Sequence, residues 1–178
     1  MKALWIEQTG ATPDMALIPD SAVLLRGAPW FIPDDSDPAQ WQARLAVGAV
    51  IDRLGMHIPQ RFAHRYYSQL TVAAHPANAT QASQLQWMRD GSLADGTHFD
   101  KPADGTLNIE ANGQSVDIDA ATLNENLCRA IADASAFVTL KTGDLILLPV
   151  PMAPIQLAEG NNITVKVGNT DALTFKTR

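Results

Sequence analysis

Three observations predict an α+β fold that is mostly β. Short apolar runs of strand length, bounded by Gly, Pro and Asn, recur from end to end of the chain. Asn112-Gly113 between two such runs is a two-residue hairpin signal, because both turn residues tolerate positive φ. Only Thr122 to Ala134 carries a full helical stripe behind a helix-start signal, so the alternating strand-helix units of a doubly wound sheet are missing.

From the N-terminus, residues 2 to 6 read as a short edge strand ending at a turn around Gly10. Ser21 to Arg26 reads as a strand with mixed faces, broken by Gly27, Pro29 and Pro33, and Asp34 to Pro38 as a solvated acidic loop. Arg44 to Arg53 is the longest apolar run of the first half. Its β-branched residues and the turn at Leu54-Gly55 predict a buried strand. Pro59 can open a helix of two to three turns with Phe62, Ala63, Tyr66 and Tyr67 on one face. Leu70 to Ala74 reads as a strand stopped by His75-Pro76, since Pro76 cannot donate to a ladder. Asn78 to Trp87 has helix propensity, and Gly91 to Gly105 reads as a long polar loop.

Leu107 to Ala111 and Gln114 to Ile118 form the predicted hairpin, with Glu110 and Asp117 solvated. Thr122 and Glu125 make a capping box for a helix that buries Leu123, Leu127, Ile131 and Ala134. Cys128 lies beside that stripe as a small buried residue. Leu145 to Leu148 follows the turn at Gly143-Asp144 as a buried strand. Pro149, Pro151 and Pro154 then stiffen a loop with almost no side-chain hydrogen-bonding capacity. Ile163 to Val167 and Leu173 to Lys176 alternate around Gly168-Asn169 as a last antiparallel pair.

The 178 residues fit one domain, with N-terminal strands and loop over 1–40 and a core over 41–178. A net charge of −6, with 13 scattered Lys and Arg, argues against a nucleic-acid surface. Cys128 is the only cysteine, which fits a reducing compartment and excludes an intrachain disulfide. No window approaches the ~18 apolar residues of a membrane span, and Met1 to Asp20 holds no signal-like run; the expectation is a soluble cytoplasmic protein. The histidines at 57, 64, 75 and 98 have no two-ligand spacing, and no serine stands in a nucleophile elbow.

The order from Leu107 to Phe175, an Asn-Gly hairpin, a capped helix, LKTGDLILL, a proline loop, QLAEGN and a strand pair, resembles the C-terminal part of the fumarylacetoacetate hydrolase family. Leu140, Gly143, Asp144, Ile146, Pro151, Leu157 and Gly160 match its pattern, and LLRGAPWFIPDD, QARLAVGAVIDRLGMHIP and RFAHRYYSQLTVAAHPAN follow it more loosely. The resemblance implies a mixed β-roll with flanking helices, usually a homodimer. It also implies hydrolysis, decarboxylation, isomerisation or hydration of small oxo-acids at a carboxylate-bound Mg²⁺ or Mn²⁺.

Carried over by position, the family's Glu-x-Glu pair falls on Gln42 and Arg44 and its aspartate on His75, so the metal-binding carboxylates are replaced. A guanidinium puts a fixed positive charge where the cation should sit. The Thr-Gly-Thr of the proline loop falls on Leu148, Pro149 and Val150, which removes its donors. The expected reading is a homologue or subunit without metal-dependent catalysis and without a cofactor, forming a homodimer or a mixed dimer with a paralogue. Two alternatives stand beside it. One is residual, metal-independent chemistry on a small oxo-acid with His75 as a general base titrating near neutral pH. The other is a pocket of inverted charge in which Arg26 and Arg44 converge with His75 on a carboxylate or other small anion, with Gln42, Val150 and Pro151 among the lining residues.

Overall fold

The computed structural model describes residues 1–7, 13–33, 37–80 and 85–178. Its strands are β1 Lys2–Glu7, β2 Asp14–Pro19, β3 Val23–Leu24, β4 Trp41–Ile51, β5 Tyr67–Asn78, β6 Leu93–Asp95, β7 Phe99–Asp100, β8 Thr106–Ala111, β9 Gln114–Asp119, β10 Leu145–Pro149, β11 Ile155–Gln156, β12 Asn162–Val167 and β13 Thr170–Lys176. The helices are α1 Gln60–Ala63, α2 Leu85–Met88 and α3 Ala120–Phe137.

The long pair β4 and β5 is the spine, antiparallel from Trp41 opposite Asn78 to Ile51 opposite Tyr67. The larger sheet runs β2-β1-β10-β4-β5-β6-β3, with β11 extending the pairing of β4 and β7 that of β5. The smaller sheet runs β13-β12-β8-β9. β4 is buried on both faces, and the period-2 alternation of a strand divides its side chains between two cores. Trp41, Leu45, Val47 and Ile51 enter a large cluster shared with α3 (Leu127, Ile131) and the smaller sheet (Ile109, Val165, Phe175). Ala46 and Val50 enter a second cluster with Trp5, Leu93, Leu145 and Leu147. Gly48 lies between these two residues on β4. A Cβ there would run into the Ile146 carbonyl oxygen, so only glycine lets β10 approach this closely.

The hairpin is built as its turn residues dictate, with φ of 49° at Asn112 and 74° at Gly113. The predicted final strand pair, the buried strand at Leu145 and the buried stripe of α3 are all present. Several expectations are corrected. The strand over residues 2 to 6 is interior, paired with β2 on one side and parallel to β10 on the other. β2 itself went unpredicted, and the turn around Gly10 lies outside the described residues, as does most of the loop at Asp34. The strand expected over 21–26 shrinks to β3, preceded by a 3₁₀ turn at Asp20–Ala22. α1 has four residues because Tyr67 is taken into β5 opposite Ile51.

β5 does not stop at His75. It continues through Pro76, where only β4 is paired; the ladder to β6 has already ended at Ala74, so the missing N–H leaves no gap. Of the helix expected over 78–87, residues 81–84 are undescribed and α2 is a single turn. The polar loop at 91–105 contains β6 and β7. The cap of α3 is Asp119, whose carboxylate accepts from Thr122 N at 2.8 Å, because β9 runs directly into the helix three residues before the expected Thr122 start.

Candidate functional site

Arg44 and His75 sit on the second-core face of the β4–β5 pair, opposite each other in the ladder. Strand alternation aims both away from α3 and toward β1, which contributes Trp5 from across β10. α2 closes the far side with Trp87. The His75 imidazole lies flat on the Trp87 indole, with centroids 3.8 Å apart and planes 6° from parallel. Trp5 is tilted against both, 5.7 Å from His75 and 5.5 Å from Trp87. The Arg44 guanidinium stands 5.5 Å from the centre of the Trp5 ring, and its Nη1 donates to Glu7 Oε1 at 2.7 Å. Trp5 Nε1 donates to the same oxygen at 3.3 Å. Arg44 therefore has an aromatic face and a carboxylate in its own chain.

Ser92 fixes the stack from the β6 side. Its carbonyl lies 2.6 Å from His75 Nδ1, and a carbonyl can only accept, so this nitrogen carries the proton in the neutral ring. The Ser92 hydroxyl donates to the Trp87 carbonyl at 2.8 Å, tying α2 to the strand that holds the imidazole. Burial pushes the His75 pKa down to about 4, helped by the charge of Arg44 and opposed by the Ser92 carbonyl and Glu7. The expectation that His75 titrates near neutral pH is thereby corrected, since desolvation outweighs the one favourable carboxylate.

A divalent cation does not fit here. Among the described residues the near side chains are a guanidinium, two indoles and an imidazole whose Nδ1 is committed to Ser92, and the carboxylate of Glu7 is bound to Arg44. Among the described residues no three His, Cys, Asp or Glu side chains gather as ligands. Clefts of about 720, 530 and 300 Å³ open elsewhere on the surface, and none is lined by Gln42, Arg44 or His75.

The other predicted positions do not join this group. Gln42 lies opposite Gln156 of β11, and its Nε2 approaches Gln156 Oε1 at 3.4 Å. Arg26 donates from Nη2 to the Gly96 carbonyl at 2.8 Å, while Arg44 is held by Glu7, so the two guanidinia have separate partners. Val150 belongs to the large core on the opposite face of β4, its N–H donating to Leu45 O at 2.9 Å. Pro151 lines a cleft of about 300 Å³ on that same side with Val47 and Leu123. The proline loop and Arg44 are thus separated by the sheet itself. His98 pairs with Asp95 at 3.1 Å, and His57 and His64 are exposed. Trp5, Glu7, Trp87 and Ser92 were not singled out in the sequence, where nothing local links residues 5, 75 and 87.

No family model matches the sequence, and no curated protein matches it. Solved structures do match. The 2-hydroxyhepta-2,4-diene-1,7-dioate isomerase of Mycobacterium marinum superposes with a TM-score of 0.80 at 22% identity, over 99% of this chain and 73% of that one. Fumarylpyruvate hydrolase from Pseudomonas aeruginosa, solved with Mn²⁺ and pyruvate, gives 0.78 at 15% identity, over 99% and 89%. A protein assigned to the fumarylacetoacetate hydrolase family in Yersinia pestis gives 0.78 at 16% identity, over 99% and 92%. The fold is that of fumarylacetoacetate hydrolase family proteins.

Proposed function

We propose that this chain is a homologue of the fumarylacetoacetate hydrolase family that has lost divalent-metal-dependent catalysis on oxo-acids and acts as a non-catalytic homologue or subunit. The observation that carries this reading is the packing of Arg44 and His75 against Trp5 and Trp87 at the positions where the resemblance places metal-binding carboxylates. A guanidinium and two indoles beside these positions support the reading, because a fixed positive charge and apolar rings are poor surroundings for a hard divalent cation. The buried imidazole has Nδ1 on a carbonyl and its flat face on a ring, and a pKa lowered to about 4 makes it a weak base at neutral pH. In this reading the scaffold serves assembly, as a homodimer or as the partner of an active paralogue.

Thermal unfolding of the purified protein against rising Mg²⁺ and Mn²⁺, alone and with pyruvate, tests the proposal. A ligand that binds the folded state raises the midpoint with concentration. The proposal expects a flat response for both cations; a saturable rise enhanced by pyruvate would overturn it.

A further inference from the structure

We propose that the cleft between Trp30, Arg89 and Arg178 binds a zwitterionic small molecule with an apolar body, of the class of an aromatic α-amino acid. It lies apart from the Arg44–His75 stack, and the inference does not depend on whether catalysis is lost there.

The cleft, about 720 Å³, falls in the usual range of small-molecule sites. Its construction is rigid on two sides. Residues 30–32 run beside the last residues of the chain, with Trp30 N donating to Lys176 O at 2.7 Å, Arg178 N to Trp30 O at 2.8 Å and Ile32 N to Arg178 O at 2.7 Å. Opposite, the turn after α2 backs onto the same indole through Gly91, whose φ is 70°; a Cβ there would stand 3.0 Å from Trp30 Cδ1. Trp30 packs on Trp41 at 5.3 Å, and the Arg89 guanidinium stands 4.8 Å from the Trp41 ring centre. Arg89 is thus positioned by stacking, which leaves its planar donor edge for another group.

The described side chains lining this cleft carry charges of both signs, and these are not paired with one another. Arg89 and Arg178 line it together with Asp90 and Glu159. Among the described residues none of the four is in an ion pair within 4.0 Å. The remaining wall is apolar: Leu24, Trp30, Ile32 and Phe31, the last 62% exposed. A polyanion would gain at the arginines and lose at the two carboxylates, and a simple cation the reverse. A ligand carrying one carboxylate and one ammonium gains at both, while an aromatic or branched body covers Phe31 and the edge of Trp30. The arginine fork suits the carboxylate, and Asp90 and Glu159 suit the ammonium.

L-Phenylalanine is the probe, followed by ligand-detected NMR and by intrinsic tryptophan fluorescence, with 3-phenylpropanoate and phenethylamine as analogues lacking one charge each. The expected result is saturable binding of phenylalanine, weakened about tenfold in either analogue. Arg178→Gln changes an exposed side chain and should weaken phenylalanine by a similar factor without altering the unfolding midpoint. Arg89→Ala should weaken phenylalanine likewise, with a lower unfolding midpoint from the lost stacking on Trp41, and Glu159→Gln should erase the preference for phenylalanine over 3-phenylpropanoate. Absence of saturable phenylalanine binding would overturn the proposal, as would affinities unchanged in Arg178→Gln or equal binding of all three compounds to the native chain.

Discussion

The imidazole of His75 and the indole of Trp87 lie face to face, 3.8 Å between centroids and 6° from parallel, across the gap between β5 and α2. Both rings are held by one residue, the carbonyl of Ser92 on His75 Nδ1 and its hydroxyl on the Trp87 carbonyl. α2 is one turn long, and its Leu85 and Met88 are largely exposed, so Trp87 is its inward anchor. Trp87→Ala removes the lid of the second core and leaves a cavity beside His75. Truncation of a fully buried tryptophan costs about 3–5 kcal/mol; because Trp87 is half-buried, about 2–3 kcal/mol is expected in urea unfolding. A loss under about 0.5 kcal/mol would mean that the stack does not hold the site closed.

Stability should depend on pH through His75. Its folded pKa, about 4, lies below the 6.5 of the free side chain, so the unfolded chain binds the extra proton between those values. The stabilisation is fully present above pH 6.5 and is lost as pH falls toward 4, by roughly 3 kcal/mol in all, with no further change from this group below that. Denaturant midpoints of the native chain and His75→Gln, compared from pH 7.5 to 4, isolate the effect. The variant should lose most of the slope between pH 6.5 and 4; parallel curves would contradict the burial of a neutral imidazole.

How legible this was in the sequence depended on the range of the signal. The Asn112-Gly113 turn, the α3 stripe and the apolar run of β10 are local patterns, and each formed where the residues predict. The sequence predicts that β5 stops at His75-Pro76, yet the constraint on proline in a sheet concerns only the paired N–H side, and which side is unpaired is a tertiary fact. That the resemblance sets Gln42, Arg44 and His75 against the family's carboxylates was also readable, as an expectation. What packs around Arg44 and His75 was not: Trp5, Glu7 and Trp87 meet them only through sheet order, with β10 inserted between β1 and β4. Sheet order likewise put Val150 and Pro151 on the opposite face from Arg44.

Asp144, one of the framework residues shared with the family pattern, should matter for stability alone. It is 2% exposed and accepts from Lys2 N at 3.0 Å and Lys141 N at 2.8 Å, and it pairs with the Lys2 ammonium. These contacts pin the start of β1 to the turn before β10. Asp144→Ala strands two backbone donors and should cost about 2–4 kcal/mol, read by denaturant unfolding. A near-neutral variant would show that the turn is held by other contacts.

Gly48→Ala tests the close approach of β10 to β4. The added methyl meets the Ile146 carbonyl, which belongs to backbone in mid-sheet and cannot yield by a rotamer change. Loss of about 3 kcal/mol or failure to fold is expected. Asp119→Ala, which removes only the cap of α3, should cost about 1 kcal/mol, so the two together separate a packing constraint from a local one. Equal, small losses would put the β4–β10 spacing in error.

The central claim is that no divalent cation binds at the Arg44–His75 position, and electron paramagnetic resonance of Mn²⁺ tests it directly. Free hexaaquo Mn²⁺ gives a sharp signal that disappears on binding, so titrating protein into a fixed Mn²⁺ concentration, with and without pyruvate, counts occupied sites. The account predicts that the free signal is undiminished at equimolar protein. A stoichiometric, saturable loss that is abolished in Glu7→Gln or His75→Gln would contradict it.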